Sequence, residues 1–125
     1  MPHVLIDHSA NLADHLDVDE LVGVVHAAVI ATGVAPSDAT RTRARAADHV
    51  RVGDGDPANI YVAITVRMAR GRSPAETATV VDALVTAVED NLGTARAHTA
   101  LSVEYQDIDP DRRVNRNHLR EQAGS

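Results

Sequence analysis

The order of secondary-structure patterns constrains this fold most, because strand, helix and strand patterns occur twice along 125 residues. Each half spans about sixty residues, and the halves share this pattern but almost no sequence identity. A helix between two strands predicts a right-handed crossover and a parallel strand pair. We therefore expect an α/β fold in which two βαβ units form one mixed sheet with two helices on one face.

The first half begins with a short apolar run, His3–Asp7, which suits a buried strand. Asp17 and Glu20 have the spacing of a capping box, and apolar residues then recur at helical spacing. This pattern predicts a helix from Val18 to Thr32 that ends at Gly33.

An arginine-rich strand is predicted from Arg41 to Val52, where the sequence period becomes two. Arg41, Arg43 and Arg45 share one face of this strand, which would present their guanidinium groups together. The glycine, aspartate and proline content of residues 52–59 predicts a turn after it.

The second half carries clearer signals. Alternation from Ile60 to Met68 predicts a strand. Ser73, Pro74 and Glu76 combine a cap, an N1 proline and a capping-box glutamate, so a helix is expected from here to Gly93. Alternation from Leu101 to Gln106 predicts the last strand, within a single domain of residues 1–108. The polar arm of residues 109–125 is expected to be disordered or to order on a neighbouring subunit.

Composition excludes several classes of function. A net charge of -6 and the absence of Phe and Trp argue against a nucleic-acid partner, which needs basic surface and stacking platforms. No apolar run is long enough for a membrane span, so we expect no membrane partner and a cytoplasmic protein. With helices covering one face of a small sheet, another subunit is expected to cover the other face.

Pro2 is the candidate catalytic residue, because removal of Met1 would leave its ring nitrogen as a secondary amine. The chain has no Cys, and its twelve basic residues are all Arg, so neither a thiolate nor a lysine amine competes for this role. An α-amino group titrates near ~8, and neighbouring cations favour its neutral, basic form.

Three arginines are candidates for binding an anionic substrate: Arg41, Arg43 and Arg72. Guanidinium groups bind carboxylates bidentately and stay charged at any working pH. Arg72 also precedes a helix start, whose free N–H groups favour an anion. The alternative is that Arg41, Arg43 and Arg45 form a solvated face paired with acidic residues. No histidine spacing points to a metal site, and none is expected.

The sequence resembles the 5-carboxymethyl-2-hydroxymuconate isomerase family of the tautomerase superfamily. Four elements carry the resemblance, in order along the chain. They are Met1-Pro2-His3, the run from Ala31-Thr32-Gly33 through Pro36 to Arg41-x-Arg43, Gly71-Arg72-Ser73, and Asn115-x-Asn117-His118. The chain departs from the family in having Ala46 and Ala47 where a tryptophan follows the arginine pair.

The resemblance implies a homotrimer and a cofactor-independent keto-enol isomerase in aromatic-compound catabolism. Its substrate would be an unsaturated 2-hydroxy di- or tricarboxylic acid such as 5-carboxymethyl-2-hydroxymuconate. Pro2 would act as the general base, and Arg41 matches the family's substrate-binding arginine, with Arg43 and Arg72 as partners. Two alternatives remain at this point: a dehalogenase or decarboxylase that uses the same proline, and a non-catalytic trimer that binds an anionic metabolite.

Overall fold

A computed structural model describes residues 2–119 of the chain. Four strands and two α-helices follow the predicted order. They are β1 (His3–Ser9), α1 (Val18–Ala31), β2 (Arg41–Ala47), β3 (Ile60–Ala69), α2 (Pro74–Leu92) and β4 (Thr99–Ile108). The α/β fold of two βαβ units is therefore confirmed.

Local sequence chemistry sets the helix boundaries. At α1, the Asp17 carboxylate accepts hydrogen bonds from the backbone N–H groups of Asp19 and Glu20. At α2, Ser73 and Glu76 form a reciprocal capping box, with Pro74 in the first turn. These contacts satisfy backbone donors that a helix start leaves free, so both helices begin where the sequence predicts.

The sheet has the strand order β2-β1-β3-β4. Each βαβ unit contributes a parallel pair, β1 with β2 and β3 with β4. The two units meet through the antiparallel pair of β1 and β3. The starts of β1 and β2 therefore lie at the same end of the sheet as the ends of β3 and β4, which we call the Pro2 end.

One face of the sheet, the helix face, packs under α1 and α2. Its strand residues alternate with those of the opposite face, and on the central strands β1 and β3 they are fully buried, as in Val4, Ile6, Ile64, Val66 and Met68. Aliphatic residues of the helices, such as Leu21 and Leu84, complete the core. Burial of this continuous apolar surface is the main stabilising contribution to the fold.

The opposite face, the open face, carries mostly polar side chains, and its residues are partly or fully exposed. Its members are His3, Leu5, Asp7, Arg41, Arg43, Arg45, Tyr61, Ala63, Thr65, Arg67, Ala100, Ser102, Glu104 and Gln106. Tyr61 donates a hydrogen bond of 2.7 Å from its hydroxyl to Asp7 Oδ1 on the neighbouring strand. No helix in the described part of the chain combines the length and apolar character needed to cross a bilayer.

Strand β2 is shorter than its sequence pattern predicts. It ends at Ala47 rather than at Val52, because its partner β1 ends at Ser9, the residue paired with Ala47. Without a hydrogen-bonding partner, the following residues leave the sheet. The predicted turn of residues 52–59 is present, with Asn59 Nδ2 donating to Val52 O and to Asp54 Oδ1.

The described part of the C-terminal arm contacts its own chain. Arg41 Nη2 lies 3.4 Å from Asn115 Oδ1, and Asn117 Nδ2 donates a 2.8 Å hydrogen bond to Asp38 O. The arm therefore lies beside the start of β2 at the Pro2 end. Residues 120–125 of the arm fall outside the described residues.

Candidate active site

Pro2 occupies a defined position at the start of the central strand β1. The residue is buried, and its carbonyl oxygen accepts a 3.1 Å hydrogen bond from the backbone N–H of Arg41. Strand alternation places its ring on the same side of the sheet as Val4, the helix face. Pro2 is thus anchored between packed elements and has a fixed setting, which a catalytic terminus requires.

Arg41 and Arg43 lie on the open face, beside β1. In the strand register, Arg41 is paired with His3 and Arg43 with Leu5. Within residues 2–119, neither arginine, nor Arg45 further along β2, forms an ion pair with an acidic side chain. The carboxylate pairs that a solvated arginine face would have are therefore absent among residues 2–119.

His3 lies at the centre of this positive region and titrates accordingly. Burial lowers the pKa of His3 below its usual value near 6.5, and four arginine charges lower it further. These residues are Arg41, Arg43, Arg67 and Arg113. The ring is therefore neutral at neutral pH and can donate one hydrogen bond and accept another.

Arg72 follows β3 at the same end of the sheet, and its guanidinium is bound to the backbone of that strand. Its Nη1 donates a 2.8 Å hydrogen bond to Ala69 O. The Tyr105 side chain lies nearby on the helix side: burial raises the pKa of this tyrosine, and the Arg72 charge opposes that rise. The Tyr105 hydroxyl is buried and has no hydrogen-bond partner among residues 2–119.

The helix start beside Arg72 is less open to an anion than the sequence suggests. Glu76 Oε1 accepts a hydrogen bond from Ser73 N, and Ser73 Oγ accepts one from Glu76 N. The capping box thus fills positions that an incoming anion would use. Arg72 therefore has to bind an anion through its own side chain rather than with help from these two N–H groups.

A cavity of about 470 Å³ opens at the Pro2 end between the open face and the arm. Its walls include His3, Arg41, Arg67 and Arg113. Arg67 and Arg113 were not recognised from the sequence, since Arg67 is one polar residue in an alternating strand and Arg113 belongs to a charged tail. Only the strand register and the course of the arm bring them beside Arg41.

No group of three or more His, Cys, Asp or Glu side chains in the described part of the chain is placed to hold a metal ion. The Pro2 end brings together guanidinium, imidazole, phenol and carboxylate groups and, once Pro2 is terminal, an amine. Such a set can move a proton and bind a negatively charged molecule.

This fold of paired βαβ units is that of the tautomerases. The family model of 5-carboxymethyl-2-hydroxymuconate isomerase matches residues 2–123. The chain therefore belongs to the 5-carboxymethyl-2-hydroxymuconate isomerase family, and its class of enzyme is an isomerase. No curated protein matches the sequence.

Solved structures agree with this assignment of the fold. A 5-carboxymethyl-2-hydroxymuconate isomerase from Deinococcus radiodurans R1 has a TM-score of 0.88 and 21% identity, with 98% of this chain and 93% of that chain covered. A 5-carboxymethyl-2-hydroxymuconate delta-isomerase gives 0.82 and 22% over the same shares. A fused 4-OT wild-type symmetric trimer gives 0.63 and 22%, with 93% of this chain and 91% of that chain covered.

Proposed function

We propose that this protein is a cofactor-independent keto-enol isomerase of unsaturated 2-hydroxy di- or tricarboxylic acids such as 5-carboxymethyl-2-hydroxymuconate. The observation that carries the proposal is the buried Pro2 at the head of β1, hydrogen-bonded to the backbone of Arg41 in a chain of this family. The activity requires removal of Met1, because an acylated proline nitrogen is not basic.

In this mechanism, the Pro2 nitrogen takes the proton from the 2-hydroxy group of the dienol. The electron pair of the O–H bond becomes the carbonyl π bond, and the conjugated double bonds shift along the chain. The same proton then returns from the Pro2 ammonium to a distant carbon, giving the 2-oxo isomer. One base therefore serves both transfers, and no atoms are gained or lost.

The arginines stabilise the charge that develops during proton removal. As the enol loses its proton, negative charge spreads over the 2-oxo-acid end, and preorganised cations there lower the barrier. Arg41 is the first candidate because its backbone already contacts Pro2, with Arg43 beside it on β2. Arg72 acts on Tyr105 of the helix face, whereas Arg41 and Arg43 lie on the open face, so a polycarboxylate at the Pro2 end could meet cations from both faces.

We also propose that the protein assembles as a homotrimer. The open face is partly or fully exposed along all four strands, no helix of residues 2–119 covers it, and β2 leaves one edge of the sheet unpaired. Both features favour contact with further copies of the chain. The similarity to a symmetric trimer of the same fold supports three copies.

The decisive experiment has two parts. Intact-protein mass should show loss of Met1, and a spectrophotometric assay should show ketonisation of 5-carboxymethyl-2-hydroxymuconate. Pro2→Ala should fold and lose about 10²- to 10⁴-fold in kcat/KM, since a general base contributes on that order. Activity within twofold of the parent protein would remove Pro2 from the mechanism.

Light scattering at micromolar concentration checks the assembly and should give three times the chain mass of 13.3 kDa. A stable monomer with full activity would contradict the proposed assembly but leave the isomerase intact. Tight binding of the substrate without turnover would instead favour the non-catalytic binding protein.

A further inference from the structure

A row of hydrogen-bond donors crosses the open face at the Pro2 end. His3 on β1 is paired with Arg41 on β2 and with Arg67 on β3. Residues paired in this way point to the same face, and neighbouring strands lie about 4.8 Å apart. The imidazole of His3 is therefore flanked on both sides by a guanidinium group of the same row. Arg67 is in turn paired with Gln106 on β4, which extends the row by a carboxamide.

The positive charges of this row have no ion-pair partner in the described part of the chain. Among residues 2–119, neither Arg67 nor Arg113 forms an ion pair with an acidic side chain, and Arg41 contacts only the neutral amide of Asn115. By contrast, Arg70 and Arg112 at the same end are both paired with Asp109. Arg112 also lines the cavity, so within residues 2–119 it is Arg41, Arg67 and Arg113 that face the cavity without an acidic partner.

The cavity between this row and the arm has the volume and charge for a small polyanion. Its size of about 470 Å³ is that of a small-molecule site. Two acidic residues, Asp107 and Asp109, also line it. Asp109 is already engaged by Arg70 at 3.4 Å and by Arg112 at 3.8 Å, so Asp107 is the one lining carboxylate without an ion pair in residues 2–119.

We propose that Arg41, His3 and Arg67, closed by Arg113 of the arm, form a binding site for the carboxylates of a small di- or tricarboxylic acid. The inference deepens the proposed function and rests on it only for the identity of the natural ligand. It adds two specificity residues, Arg67 and Arg113. Guanidinium groups on either side of a neutral imidazole can each bind one carboxylate bidentately, while His3 contributes an N–H donor.

The test measures binding without catalysis. Tricarballylate is the probe, because it carries three carboxylates and has no enol to isomerise. Isothermal titration of the full-length protein should give saturable binding. Arg67→Ala and Arg113→Ala should each weaken it about 10- to 100-fold, the usual loss for a charge-assisted contact. Arg67→Lys should restore part of the loss, since it keeps the charge but not the fork.

Arg45→Ala is the matched control. Arg45 lies on the same face of β2 but stands opposite Asp7 in the strand register, away from the cavity. It should change the dissociation constant by less than twofold. A second readout is the His3 ring, followed by NMR with and without tricarballylate. A bound anion favours the charged imidazolium, so the pKa of His3 should rise on binding.

Absence of saturable binding would overturn the proposal, as would equal losses in the Arg45 and Arg67 variants. Circular dichroism of each variant establishes that it is folded. Failure here and failure of the proposed function are distinguishable. If ketonisation depends on Pro2 but tricarballylate does not bind, only the proposed binding site is contradicted. If tricarballylate binds but no ketonisation occurs, only the proposed isomerase activity is contradicted.

Discussion

The two faces of the sheet are formed by alternate residues of the same strands, yet their side chains have different roles. On β3, Met68 is fully buried under the helices, while its neighbour Arg67 is exposed on the open face. The helix face is aliphatic and stabilises the fold, whereas the open face holds unpaired cations that contribute little to stability. The difference implies that substitutions at adjacent residues of one strand can change stability and ligand binding separately.

The largest expected effect tests this separation through stability. Met68→Ala should lower the free energy of unfolding by about 2–5 kcal/mol, because it leaves a cavity in a closely packed core. Arg67→Ala should change it by less than about 0.5 kcal/mol, as for most exposed positions. Urea denaturation of both variants measures the contrast. Equal losses would show that the open face is part of the stabilising core.

A smaller effect is expected on catalysis, within the open face itself. Arg41→Ala should reduce kcat/KM for a carboxylate substrate about 10- to 100-fold, through loss of one charge-assisted contact. Arg45→Ala, two rows along the same strand, should be nearly neutral. Steady-state ketonisation kinetics provide the measurement. If the two variants behave alike, the arginine face has no binding role.

His3 reports the electrostatics of the same face. Its pKa is lowered by burial and by four arginines, so the imidazolium is disfavoured in the folded state. The neutral ring therefore favours folding above the unfolded pKa near 6.5, and this contribution is lost as the pH falls through the lower folded value. Arg67→Ala should move the NMR titration of His3 towards higher pH, since one cation is removed. An unchanged midpoint would place Arg67 away from the ring.

The smallest expected effect lies further along the open face. Burial, the hydrogen bond to Asp7 and the negative charge of Asp7 together raise the pKa of Tyr61 to about 12, with burial the largest cause. Asp7→Asn should lower this pKa without returning it to 10, because the burial remains. Absorbance of tyrosinate at 295 nm during an alkaline titration measures the change. A midpoint that does not move would separate Asp7 from Tyr61.

Local sequence signals predicted most of the fold because the chemistry is local. The capping box of Ser73 and Glu76, the apolar stripe of α2 and the alternation of β3 each lie within a few neighbouring residues. Strand β2 was predicted too long for the opposite reason. Its end is set by the end of β1, about forty residues away in sequence, and periodicity within β2 contains no information about its partner.

The candidate site was predictable only in part, for the same physical reason. Pro2, Arg41, Arg43 and Arg72 stand out by residue type and by resemblance to a family. The roles assigned to them stay predictions, as do the boundaries of the domain and arm. Arg67 carries no such signal, because its neighbourhood arises from the register of three strands. Residue type and family resemblance identify a reactive group such as Pro2 more readily than they identify residues, such as Arg67, that the fold places nearby.

The antiparallel pairing of β1 and β3 limits the number of amino-terminal bases in each chain. Each βαβ unit begins with a strand at opposite ends of the sheet, but a polypeptide has a single amino terminus. Where the first unit has Pro2, the second has Asn59, whose nitrogen is an amide within the chain. The cavity of about 510 Å³ at that far end is lined by loop residues including Asp48, Arg51 and Asn59. In the proposed mechanism, the doubled architecture therefore supplies one proline amine per chain, and the proposed trimer would contain three such amines for six βαβ units.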